Sequence, residues 1–164
     1  IRSRGLGDVY KRQYLYTDIE RRRQKYTYNP DINGGYKVNV LDRNEPKIEA
    51  DYTYIHFSLM CEELKNSSVY VYGGFNNFST NYENKMTYNS KRNVYEATLL
   101  MKQGFYNYKY VVLDRDKNLN EGAISGNFDE TENNFKVMAY YRDLGARYDR
   151  LIGMGEASSI EMTN

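Results

Sequence analysis

Tryptophan is absent from this 164-residue chain, and cysteine, histidine and proline are scarce: one Cys, one His and two Pro. Each scarcity excludes something. The single Cys61 rules out an internal disulfide and a cysteine-cluster metal site, and leaves the redox compartment open. His56 has no second imidazole with which to share a metal. It also falls on a different predicted feature from Cys61, so a Cys–His nucleophile has little to rest on. No run approaches the roughly 18 apolar residues of a membrane helix, so a helical membrane-spanning protein is not expected. A surplus of one charge sign is missing too: 23 basic residues stand against 22 acidic ones. That balance argues against a nucleic-acid binder held by bulk charge. The chain is instead rich in tyrosine, with 19 against 6 Phe. A phenol ring is apolar over its body and polar at its tip, so it serves equally in a core or on a sticky surface.

The pattern between these residues has a period of two. Tyr36–Leu41 alternates and predicts a first strand, followed by a loop over Asp42–Lys47. In Asp51–Met60, Thr53, Ile55, Phe57 and Leu59 share one face and Tyr52, Tyr54, His56 and Ser58 the other. The apolar set is expected inward. Val69 and Val71 read as inward in the next run, with Tyr70 and Tyr72 outward. Val94–Leu100 and Phe105–Leu113 read as a hairpin around Lys102–Gly104, with Gly104 supplying positive φ. Phe135–Tyr141 gives a last strand. These runs predict an all-β antiparallel sandwich over residues 36–141, with Ile55, Phe57, Val69, Val71, Leu99, Tyr108 and Tyr110 in its core.

Residues 14–35, basic and aromatic with turn chemistry at Asn29–Pro30 and Asn33–Gly35, read as a connector from a missing upstream domain. Residues 1–13 read as a scar: Asp8–Gln13 is the translation of GAT GTG TAT AAG AGA CAG, which resembles a transposase adaptor. At the other end, residues 142–164 form a C-terminal tail. Arg142–Ile152 is expected to be ordered by Leu144, Tyr148, Leu151 and Ile152 packing onto a neighbouring surface, and Glu156–Asn164 to fray.

No catalytic or cofactor-binding set emerges. Asp114, Asp116 and Asn118 alternate as in a calcium loop, but Leu119 and Ser125 occupy positions that need Gly and Glu. Gly153-x-Gly155 lacks the strand-before, helix-after setting of a dinucleotide loop. If the strands carrying them pair, Tyr52, Tyr54, Tyr70 and Tyr72 form an outward aromatic patch. Together with Arg142, Arg147, Tyr148 and Arg150 of the tail, this patch is the candidate partner-binding surface.

Two resemblances attach to these residues. VYVYGGFNNFS, followed by a Gly-aromatic-x-aromatic-Lys-aromatic strand, resembles the immunoglobulin-like (E-set) glycogen-binding domains of branching enzymes and AMP-activated kinase, with Phe78 standing where that pattern has Trp. From about Asp18 to Gly155, through RRRQKYTYNPDINGGY, ADYTYIHFSL, LLMKQGFYNYKYVV, GNFDETEN and YYRDLGARYDRLIG, the chain resembles the C-terminal part of the type IX secretion system plug proteins of Bacteroidetes. The second resemblance implies a non-enzymatic, periplasmic, outer-membrane-associated domain whose partner is the outer-membrane translocon, whose pore it closes. It implies neither nucleic acid nor a small-molecule substrate. The first implies a carbohydrate-binding module as the alternative.

Overall fold

Short alternating runs broken by Asn and Gly fold as short strands, and the computed structural model, which describes residues 11–28, 31–40 and 45–159, contains little else. In chain order the strands are β1 (Lys11–Tyr14), β2 (Asp18–Ile19), β3 (Tyr36–Val38), β4 (Tyr52–Met60), β5 (Ser68–Tyr72), β6 (Thr87–Asn89), β7 (Val94–Lys102), β8 (Gly104–Tyr106), β9 (Lys109–Leu113), β10 (Leu119–Asn120), β11 (Asn134–Tyr141) and β12 (Arg150–Ser158). Helix among the described residues is limited to α1 (Pro46–Glu49) and single 3-10 turns at Arg21–Arg23, Gly74–Asn76 and Tyr82–Asn84. None of these helices is long and apolar enough to cross a membrane. The protein is all-β. Its chain divides into two units, Ile1–Asn127 and Phe128–Asn164.

In the first unit β4 lies antiparallel to β7 and β7 to β6, while β1 and β2 run parallel to β4 on its other side. A second sheet has the order β10-β9-β5, and β3 pairs with β8. The inward residues of the two larger sheets meet in one cluster. Phe57 and Leu59 of β4 and Tyr95 and Met101 of β7 pack with Val69 and Val71 of β5 and Tyr110 and Val112 of β9. The arrangement is therefore sandwich-like. Burying each large apolar side chain contributes about 1.5–3 kcal/mol. The expected core positions are in place: Phe57, Val69, Val71 and Tyr110 are buried, and Ile55, Leu99 and Tyr108 pack against them.

Several expectations are corrected. β7 and β9 are not a hairpin, because β7 belongs to the sheet of β4 and β9 to that of β5. The chain changes sheet through β8. There Gly104 is required by close approach rather than by positive φ: a Cβ would stand 2.4 Å from the Lys37 carbonyl. The connector is not separate from the sandwich. Tyr14 and Asp18–Ile19 pair with β4, and the Arg22 amide donates to the Ile124 carbonyl. β4 still had an edge to fill, and parallel pairing between short polar runs leaves no alternation to read. Of residues 1–13, Lys11–Gln13 belong to β1, and 1–10 lie outside the described residues. The turn at Asn29–Pro30 and the end of the first strand at Leu41 also lie outside them.

The sandwich does not extend to Tyr141. β11 pairs antiparallel with β12 in the second unit, Met138 opposite Met154 and Val137 opposite Gly155, with a bulge between Ala139 and Tyr140. The segment expected as a tail is thus the turn and return strand of a hairpin, and Arg150–Ser158 is regular where Glu156 onward was expected to fray. Gly145, at φ +85°, sits in the turn. Backbone pairing orders this segment, while Leu144, Tyr148, Leu151 and Ile152 stand exposed.

Candidate interaction surfaces

The candidate tyrosines do not form one patch. Their strands do not pair: Tyr52 and Tyr54 lie on the outer face of the β4 sheet, and Tyr70 and Tyr72 on the outer face of the β5 sheet. Tyr52 is half exposed and Tyr54 partly buried. Tyr70 and Tyr72, by contrast, are buried at 7% and 8% and cluster with Val111. β5 is covered on both faces, which a period-two reading cannot foresee because it assigns one wet face. Tyr70 also bridges Lys85 through the backbone, and Lys109 Nζ lies 5.8 Å from the Tyr72 ring centroid.

Tyr52 and Tyr54 instead line a cleft of about 750 Å³. Tyr36, Phe75, Tyr82, Glu83 and Tyr106 line it as well. Tyr36 stacks on Tyr106 at 5.4 Å, and the Tyr106 hydroxyl donates to the Lys102 carbonyl at 2.8 Å. Asn84, 1% exposed, ties this wall down by donating to the Val71 and Ser79 carbonyls and accepting from the Asn81 amide.

Phe78 is half exposed at φ +51°, its ring 5.5 Å from Tyr72 and tilted by 59°. Because Tyr72 is buried, the two rings do not make the exposed coplanar pair that a sugar platform uses. Phe78 packs on the outside of β5.

On the hairpin, the candidate arginines are engaged across the turn. Arg142 donates to both Asp149 oxygens at 2.7 and 3.0 Å, and Arg150 to Asp143 at 2.6 Å. Arg147 and Tyr148 are exposed. Exposed pairs of this kind contribute little to stability, so their effect is to fix the shape of the turn. The larger feature is apolar. Phe135, Val137, Tyr141, Met138, Tyr140, Leu151, Ile152 and Met154 are all about half exposed or more, and they occur on both faces of the two-stranded ribbon. Sequence reading missed this surface because it placed β11 inside the sandwich.

Several titratable groups of the first unit are bonded within it. The Tyr108 and Tyr110 hydroxyls both donate to one oxygen of Asp18, at 2.8 and 2.6 Å. Burial, followed by the Asp18 carboxylate, pushes both phenols well above their usual range. Cys61 is buried, its Sγ donates to the Glu62 carbonyl at 3.4 Å, and burial, followed by the neighbouring Glu20 carboxylate, pushes the thiol up to about 12. Glu20 is held below its usual range by the Cys61 bond and then by Arg22. A thiol kept protonated in this way is a poor nucleophile. His56 is on the other face of β4 from the core, bonded through Nδ1 to the Thr98 hydroxyl at 2.9 Å and stacked on Tyr14 at 4.2 Å. In the Asp114 turn the carboxylate accepts from the Asn118 amide and side chain. No cluster of three or more metal-ligating side chains occurs among the described residues.

No family model matches the chain, and no curated protein matches it. Among solved structures it is similar to a hypothetical protein from Parabacteroides merdae ATCC 43184, with 39% identity and a TM-score of 0.77 over 91% of this chain. The chain spans 38% of the length of that protein.

Proposed function

We propose that this chain is the non-enzymatic interaction part of a type IX secretion plug protein. In this reading an immunoglobulin-like E-set sandwich supports a hairpin that docks at the periplasmic mouth of the outer-membrane translocon. The observation that carries the proposal is the β11–β12 ribbon, with exposed apolar side chains on both faces. A two-stranded ribbon alone is marginally stable in water, and contiguous exposed apolar surface marks a site of association. Likeness to a protein from a Bacteroidetes species agrees with the resemblance that the sequence carries. The test is site-directed photo-crosslinking in a Bacteroidetes host. A crosslinker at Met138 or Tyr148 of the full-length protein is expected to capture the translocon, and one at Thr131 or Lys91 to capture none. Equal capture from all four positions would overturn the assignment of the hairpin as the docking element.

A further inference from the structure

We propose a second binding site, independent of the first: the open edge of β7 accepts an extended segment of a partner protein as an added strand. β6 covers β7 only along Val94–Glu96, then leaves it at Thr87 because the chain before it crosses to β5, where the Met86 amide donates to the Val69 carbonyl. From Ala97 onward β7 has, among the described residues, a strand partner on the β4 side alone. Which backbone groups face outward follows from the register. The Gln103 amide donates to the Asp51 carbonyl, so Met101, Leu99 and Ala97 exchange bonds with β4, and Thr98 and Leu100 turn their amides and carbonyls away from it. The use of Val94 and Glu96 by β6 agrees with this phase. Among the described residues no hydrogen bond reaches the outward backbone groups of Thr98 or Leu100.

These unused groups open onto the cleft of about 750 Å³. Unpaired strand edges are normally blocked by Pro, Lys, a bulge or a covering segment; here the turn Tyr82–Asn84 comes close to β7 and Lys102 ends the edge, but neither bonds to the backbone of Thr98 or Leu100. Strand addition takes affinity from the main chain and specificity from alternate side-chain pockets. Both are present. A guest strand would send every second side chain toward Leu99, Met101, Phe75 and Tyr106, which pack with the core, and the others toward the outer face that carries Tyr52. Charge selects the polar partner. Lys102 is engaged by the Lys47 carbonyl and the Tyr52 ring, whereas no ion pair among the described residues reaches Glu83. The occupant is therefore an extended peptide with alternating apolar residues and a lysine or arginine.

The test is an amide-resolved NMR titration of the whole chain with an octapeptide alternating valine and threonine between terminal lysines. The expected result is fast exchange of the Thr98 and Leu100 amides in the free protein, slowing at least about tenfold with peptide, while Leu99 and Met101 are slow throughout. Leu100→Pro removes an amide that β4 does not use, and is expected to weaken binding about five- to twelvefold, as loss of a backbone bond of about 1–1.5 kcal/mol implies. A peptide N-methylated on its backbone is expected not to bind. Unchanged exchange at Thr98 and Leu100 with saturating peptide would overturn the proposal, as would equal binding of the N-methylated peptide. The exchange measurement stands even if Leu100→Pro does not fold.

Discussion

Replacing Asp18 by alanine is the most informative perturbation of the first unit, because one carboxylate oxygen there satisfies two phenols. Tyr110 is 5% exposed and Tyr108 is partly buried against the Phe57 ring at 5.0 Å. Their hydroxyls donate to Asp18 at 2.6 and 2.8 Å. Removing the acceptor leaves two buried donors unsatisfied, each costing about 1–3 kcal/mol, with Tyr108 at the lower end because water reaches it more easily. The expected loss is about 2–4 kcal/mol, read as a lower urea midpoint at unchanged slope, with tyrosine fluorescence as the probe. Removing both hydroxyls as well, in Asp18→Ala with Tyr108→Phe and Tyr110→Phe, deletes the unsatisfied donors and is expected to restore stability to within about 1 kcal/mol of the starting protein. If Asp18→Ala costs less than about 0.5 kcal/mol, or the triple variant is no more stable than the single one, the hydroxyl pair does not anchor the N-terminal segment.

Other consequences follow from the same packing. Phe57→Ala, at a site 3% exposed between the two sheets, is expected to cost about 3–5 kcal/mol in urea unfolding, and a loss under about 1 would mean the faces of β4 are reversed. Cys61 gives a pH dependence. Its thiol titrates near 8.5 when unfolded and is pushed up to about 12 when folded, so its contribution is complete below pH 8.5 and is lost as pH rises toward 12. The urea midpoint should therefore fall more steeply between pH 8.5 and 10.5 in the parent than in Cys61→Ala, and iodoacetamide should label Cys61 at pH 8 only in denaturant. Arg142→Ala, which removes an exposed bidentate pair, should leave the urea midpoint essentially unchanged in the same unfolding assay.

What the sequence disclosed followed physical range. Alternation is local, so the inward set of β4 and the burial of Val69, Val71 and Tyr110 were legible. Tyr70 and Tyr72 were misread because cover on the second face of β5 comes from elsewhere in the chain. The same limit hid Asp18, whose partners lie 90 and 92 residues away. It also put β11 in the wrong structure. Phe135–Tyr141 alternates like any sandwich strand, and only its pairing with Arg150–Ser158 shows that it belongs to a separate ribbon. Of the four candidate residues after Tyr141, Arg142 and Arg150 pair with Asp149 and Asp143 across a turn, and the apolar surface lies along the ribbon behind them.

The central claim is that both faces of this ribbon contact the translocon. It is tested most directly by affinity co-purification of the full-length protein from a Bacteroidetes membrane extract, comparing the parent with Val137→Asp/Met138→Asp. Both side chains are exposed, at 71% and 48%, and adjacent in sequence, so they carry charge onto opposite faces with little effect on folding. The account predicts that the parent retains the translocon and the double variant, with an unchanged circular dichroism spectrum, loses at least about nine-tenths of it. Equal recovery of the translocon by the two proteins would contradict it.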